Sequence, residues 1–356
     1  MTWKAGGMAC AMAVLFGASV SMSGEARHDR AYWQEQYRRP VEIPFPESNS
    51  YSEAKSKLGQ MLFFDPILSG SRVRSCATCH NPALSWSDGQ PRGIGEATML
   101  VRTPTLLNIA WIPKLGWDGH FRGLEAVAFG PITAAGIMNL PEKILIERLS
   151  AIAGYNEAFG SAFGKAEITR RNVELALATF ERSIISGETP FDRWIKGDET
   201  AISAAAKRGF DLFNGNAHCS SCHSGWTFTD ASFHDIGTAK KDDLGRGRLF
   251  PTSLKLRYAF KTPTLRDVAR RAPYMHDGSI ATLEAVIDLY DRGGIDRPSR
   301  SDRIFPLGLS KDEKADLIAF LHTLDGAPGS ISLPELPRRR PERKGRRAYN
   351  SILNLA

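Results

Sequence analysis

Cysteine is scarce in this chain, five residues in 356, which excludes a small scaffold stapled by disulfides. Long apolar runs are nearly absent too. The one from Ala5 to about Val20 is Gly-rich and shorter than the roughly 20 residues that cross a bilayer, so it makes a poor membrane span. One Lys precedes it and small residues suited to cleavage follow at 20–26. It reads as a signal peptide over residues 1–24, removed on export to a bacterial periplasm; an uncleaved anchor is the alternative. A basic surface is also missing. Net charge is +7, but "PRRRPERKGRR" at 337–347 holds seven basic residues and one acid, leaving about +1 elsewhere. Residues 331–356 therefore read as a basic, disordered tail, and with no recognisable binding module a nucleic-acid partner is not expected. The apolar and charged fractions, 42 % and 24 %, belong to a globular protein, with length for two domains.

What cysteine there is falls in one pattern. Cys10 lies in the leader, and the other four form "CATCH" (Cys76, Cys79, His80) and "CSSCH" (Cys219, Cys222, His223). C-x-x-C-H is the spacing of c-type haem attachment: two thiols bond the porphyrin vinyl groups, and the next residue, His, is placed to ligate iron. Zinc would not explain a His after each second Cys. A redox dithiol would normally appear once, in a βαβ context missing here. Disulfides across two-residue gaps would be unusual. Two covalent c-type haems are the expectation, with His80 and His223 as iron ligands.

Helical periodicity dominates the rest. Residues 52–64, 140–152, 168–185 and 201–214 carry apolar residues at helical spacing, and Ser310 and Glu313 form a capping box before another such run. Residues 27–56 read as an irregular arm, and 186–200 as a turn-rich domain junction. At a constant offset of 159, Thr103/Thr262, Pro104/Pro263, Thr105/Thr264, Asp118/Asp277, Gly119/Gly278 and Glu125/Glu284 are identical without a gap. The fold is read as mainly α, two similar c-type cytochrome domains related by duplication: 25–190 with one haem and 191–330 with the other.

The repeat also separates the irons. At the same offset Tyr290 falls opposite Pro131. A phenolate can ligate iron and a proline cannot, so the second iron would be six-coordinate on His223 and Tyr290, and the first open beside Pro131. A half-buried helix tyrosine is the plainer reading of Tyr290.

Motif order and spacing over 52–325, with "WDG", "TPTLR" and "APYMHDGSIATLEAVIDLY", resemble the bacterial di-haem cytochrome c peroxidase and MauG family. In that family the N-terminal haem reacts with peroxide and the C-terminal haem carries a sixth ligand, Met in the peroxidases and Tyr in MauG. That ligand's place falls on Tyr290, so the chain resembles the MauG branch. The inter-haem tryptophan falls on Trp117, whose repeat partner is His276. The loop 87–100 lacks the peroxidases' displaceable His; Glu96 stands near its place, so the open site should need no reductive activation.

Departures matter as much. The family's distal Glu and Gln fall on Ile137 and Val127, which cannot move a proton between peroxide oxygens. Glu96, His120 and Glu125 are the candidates to replace them. The Asn beside the family's inter-haem calcium falls on Arg102, and a guanidinium cannot ligate Ca²⁺, so calcium is left open. Ala217 stands where MauG has a surface tryptophan for long-range oxidation; Trp194 and Trp226 are substitutes. The resemblance implies an oxidase using hydrogen peroxide, with Trp117, Pro131 and Glu96 in its reactive machinery. It would oxidise a protein side chain or draw electrons from a donor protein. A non-catalytic electron carrier or redox sensor is the remaining alternative.

Overall fold

The computed structural model describes residues 1–2, 29–164, 167–326 and 331–338. Most of the stretch read as a signal peptide, beyond Thr2, and the basic run beyond Arg338 lie outside the described residues. Among the described residues there are twelve α-helices against two strands of two residues, so the protein is mainly α.

Each half is built on one helix crossing. Ser52 accepts from the Lys55 N–H at 3.2 Å and starts helix Glu53–Phe64, which buries Leu58, Gly59, Leu62 and Phe63 on one face. That face lies on helix Arg170–Arg182, capped by Thr169. Ser203 caps helix Ala204–Asn214, which crosses Lys311–His322 in the same way. A Cβ on Gly59 would stand 2.0 Å from the Ala176 carbonyl oxygen, and one on Gly209 2.0 Å from that of Asp316. Only glycine lets the backbones approach so closely. Gly59→Ala is therefore expected to cost about 2–3 kcal/mol in a denaturant melt of the holoprotein, because the atom struck is backbone and cannot rotate away. A wild-type midpoint would show that the helices can separate freely.

Around the first crossing packs a core of Leu58, Phe63, Trp86, Phe129, Leu145 and Tyr155; around the second, Phe191, Phe210, Phe213, Phe228 and Phe320. The two strands, Phe233–His234 and Phe260–Lys261, pair antiparallel.

Three segments differ from the sequence reading. The arm is partly helical: Asp29 accepts from the Tyr32 N–H at 2.9 Å and starts Arg30–Gln36. It docks on the second core, where Tyr37 donates to Asn214 Oδ1 at 2.9 Å and Arg30 and Gln34 donate to the carbonyls of Trp194 and Ile195. The junction 186–200 holds a helix, Pro190–Ile195, with a Thr189/Asp192 capping box and Pro in its first turn. At the other end, residues 331–338 do not leave the fold: Ile331 packs on the first core, Gln60 donates to the Ser332 carbonyl at 3.1 Å, and Pro337 lies against Gly154.

The duplication reaches single hydrogen bonds. Thr105 Oγ1 donates to the Ser85 carbonyl and Thr264 Oγ1 to that of Thr227, each at 2.6 Å. Leu115 bridges Phe121 as Tyr274 bridges Ile280. Asn108 and Asp267 both take left-handed backbone before a short 3-10 turn.

Candidate haem sites

Cys76–Cys79 form a single helical turn started by the Ser75 N–H, which donates to Thr78 Oγ1 at 2.9 Å; Cys219–Ser221 form the equivalent 3-10 turn. None of the four cysteines is in a disulfide. Among the described residues the one trio with ligand atoms close enough to share an ion is Cys222, Asp230 and His234. It does not join the two motifs, so a four-ligand zinc site is not formed.

His80 Nδ1 lies 3.3 Å from the Trp86 carbonyl and His223 Nδ1 3.0 Å from the Phe228 carbonyl. Trp86 and Phe228 both have positive φ, which turns each carbonyl toward its histidine. Donation from Nδ1–H leaves the Nε2 lone pair free, and burial lowers the pKa of both rings, favouring the neutral form that ligates metal. The Thr-Pro-Thr segments hold these loops. Ser87 Oγ donates to the Thr103 carbonyl at 2.8 Å, and Thr229 Oγ1 to that of Thr262 at 2.7 Å.

Tyr290 is on helix Leu283–Asp291, started by Thr282, which accepts from the Ala285 N–H at 3.2 Å. Leu283, Ile287 and Tyr290 repeat on one face and line the cavity that also exposes Cys219, Cys222 and His223. Burial, reinforced by the two thiols, raises the phenol's pKa above its ordinary value. Among the described residues the hydroxyl has no hydrogen-bond partner. A phenol facing the cavity without a partner, a histidine with Nε2 free and two thiols form a donor set that fits haem c. Met275, left-handed at φ 69°, also lines this cavity.

Trp117 lines the same cavity where it meets the first half. Its Nε1 donates to the Arg102 carbonyl at 2.9 Å, and its ring lies 6.4 Å, edge on, from His276. His276 Nε2 is 2.5 Å from Asp243 Oδ2, and its ring stacks on Phe260.

Pro131 is in the first turn of helix Gly130–Thr133, and its carbonyl accepts from the Met138 N–H at 3.2 Å. Glu96 lies across the next loop: its N–H donates to the Ile137 carbonyl at 3.1 Å, and Cys79 Sγ donates to the Ile94 carbonyl at 3.0 Å. The 94–97 loop thus runs between the first haem motif and Ile137. Glu96 Oε1 pairs with Arg74 at 2.9 Å. Ile137 packs on the first core, and Val127 on a small cluster around Leu115.

Two candidates for the proton-moving role are removed. Both Glu125 oxygens are bound by Arg182, at 2.6 and 2.9 Å, and Asn49 donates to one at 2.8 Å. These bonds outweigh burial and bring its pKa down to about 2, so it is a fixed structural anion. His120 stacks on Phe121 with its side chain half in solvent, paired with nothing closer than Asp118 Oδ1 at 3.8 Å. Ala217 is buried. Trp226 is buried edge-on to Trp111, whereas Trp194 is half-exposed, its Nε1 3.3 Å from Glu199.

Sequence reading missed Glu181, 7 % exposed on helix Arg170–Arg182 and close enough to Cys76 to raise that thiol's pKa. Burial pushes Glu181 up to about 8. The folded protein holds this proton to higher pH than the unfolded chain, so the contribution is full below about pH 4.3 and lost as the pH rises toward 8. Glu181→Gln is expected to melt like the wild type at pH 4 and to be more stable at pH 8 by about 4–5 kcal/mol, at 1.36 kcal/mol for each pH unit between about 4.3 and 8. Equal midpoints at pH 8 would show that Glu181 is not held protonated.

The description "di-haem cytochrome c peroxidase" matches residues 53–200, and "cytochrome c" residues 206–325. Over 335 residues, 93 % of this chain and 95 % of the relative, it is 50 % identical to the methylamine utilization protein MauG of Methylorubrum extorquens. The chain belongs to the di-haem cytochrome c peroxidase/MauG family. It is a peroxidase-type oxidoreductase of two domains with haem c as cofactor. A second MauG, from Methylophilus methylotrophus, is 47 % identical over 85 % of this chain and 92 % of its own length. The crystal structure of a MauG-like protein associated with microbial copper homeostasis superposes with a TM-score of 0.75 at 30 % identity, covering 82 % of this chain and 95 % of that one. Family members act with hydrogen peroxide and a redox partner, and no helix among the described residues is long and apolar enough to cross a membrane.

Proposed function

We propose that this chain is a periplasmic MauG-like oxidase that uses hydrogen peroxide at an open first haem, shares the oxidising equivalents with a second haem, and oxidises a partner protein. Bound at each C-x-x-C-H, a haem supplies the redox chemistry of peroxide cleavage and electron storage. Everything else falls to this chain's residues.

The supporting observation is the asymmetry at repeat-related positions. Tyr290 places an unpartnered phenol in the cavity lined by its attachment motif, and Pro131 offers nothing of the kind. His80 and His223 hold their rings by Nδ1 and present Nε2. Tyr290 closes the second site as an anionic oxygen donor. Trp117, fixed by Arg102, carries electrons between the sites. Glu96, whose N–H donates to the Ile137 carbonyl, is assigned the proton transfer at the first site, with Arg74 holding its carboxylate in place. The 50 % identity to a methylamine utilization protein favours a partner protein serving that pathway over free peroxide removal.

The second reading, a cytochrome c peroxidase, draws on the match at 53–200. Steady-state turnover with peroxide and reduced cytochrome c separates the two. Slow turnover, with peroxide oxidising both haems stoichiometrically, is expected; rapid turnover would overturn the protein-oxidising reading. No spectral change at either haem would leave an electron carrier. Glu96→Gln is expected to slow the reaction with peroxide about 10²-fold while leaving both resting spectra unchanged, checked by stopped-flow mixing.

A further inference from the structure

The seam between the two domains is closed by the same bonds run in opposite directions. The Arg102 N–H donates to the His276 carbonyl and the Lys261 N–H to the Trp117 carbonyl, both at 2.8 Å. Arg102 and Lys261 are repeat partners, as are Trp117 and His276, so each bond is the other's image. The side chains follow. Lys261 Nζ donates to the Lys114 carbonyl at 3.1 Å, and the Arg102 guanidinium to that of Pro273, the repeat partner of Lys114.

Arg102 reaches further than its twin. Its Nη2 donates to the Arg271 carbonyl at 2.8 Å and meets Ser87 Oγ at 3.4 Å. Three oxygens from both domains thus converge on one guanidinium in a residue only 6 % exposed. Asp88, held by Thr103 at 2.6 Å, supplies the main attractive field. Carbonyl and hydroxyl oxygens are what a hard divalent cation takes as ligands. Calcium does not fit here, because the guanidinium has no lone pair to give, already uses the carbonyls and repels a second cation.

We infer that Arg102 is a built-in cation at the domain seam, which holds the domains in register and positions the Trp117 indole, so that coupling of the two sites needs no calcium. Its own carbonyl is the acceptor for Trp117 Nε1, so one residue sets both the seam and the aromatic bridge. Only the kinetic consequence rests on reading Trp117 as the relay; independence from calcium does not.

The test uses the di-haem protein dialysed against EGTA or supplied with millimolar calcium chloride, followed by thermal melting and redox titration of both haems. Wild-type curves are expected to superimpose under the two conditions. A fall in melting temperature or a shifted potential in EGTA that calcium reverses would overturn the inference. Arg102→Asn, which replaces the cation by a side-chain oxygen, is expected to melt about 5–10 °C lower in EGTA and to recover in calcium. Arg102→Lys, which keeps the charge and loses the fork, should respond little to either. Arg102→Asn with wild-type melting and potentials in EGTA would equally overturn the proposal. Trp117→Phe, read in parallel, should keep wild-type insensitivity to calcium, which separates a failure of the relay reading from a failure at Arg102.

Discussion

Tyr290→Phe is expected to convert the second haem from a low-spin, six-coordinate spectrum to a high-spin, five-coordinate one, leaving the first haem's spectrum unchanged. The change removes one oxygen from a ring whose neighbours on the helix face, Leu283 and Ile287, are apolar, so packing is preserved. A phenolate stabilises the ferric state through its charge, so losing it should raise the second haem's potential by on the order of 100 mV. Tyr290→Met should restore six-coordination with a neutral thioether at a still higher potential, which tends toward peroxidase behaviour. Absorption and electron paramagnetic resonance spectra read the coordination, and redox titration reads the potential. A wild-type spectrum in Tyr290→Phe would end the case for ligation and return Tyr290 to the role of a helix tyrosine that happens to lack a partner.

The other large effect is expected at Trp117. Trp117→Leu should leave each haem's resting spectrum in place and slow oxidation of the second site after peroxide addition by about two orders of magnitude. Trp117→Phe should fall between, keeping an aromatic ring but losing the Nε1 donation to Arg102. Mixing with one equivalent of peroxide and following each haem separately distinguishes relay from packing. A packing role predicts a lower melting temperature with both sites oxidised at the wild-type rate.

Tyr290 is exposed by comparison of the chain with itself, and Trp117 by the family resemblance. The attachment motifs are local, and the repeat sets Pro131 against Tyr290 at a fixed offset. The helix starts at Ser52 and Ser310 were equally legible, because caps act over three residues. Partners far apart in sequence were not. Glu125 reads as a free acid until Arg182, 57 positions on, is seen to take both its oxygens. Periodicity places Glu181 on helix Arg170–Arg182 but says nothing about whether a counter-charge reaches it. The helix Pro190–Ile195 is a different case: Thr189, Pro190 and Asp192 are a cap, a first-turn proline and a box residue, a start signal that turn composition overrode. The arm's docking was hidden because seven residues give too short a pattern to show which core they serve.

The two ends of the chain have exchanged places. Residues 30–37 strap the second core, and 331–338 lie across the first. Each domain is thus completed by a segment from the far end of the chain. A single cut in the turn at 196–200 would leave either half carrying the other's strap and missing its own. During synthesis, the first domain, though made early, must wait for the last described residues before Gly154 and Gln60 are covered. The ancestral duplication produced two similar units, and this exchange gives each a contact made by the other's half of the chain.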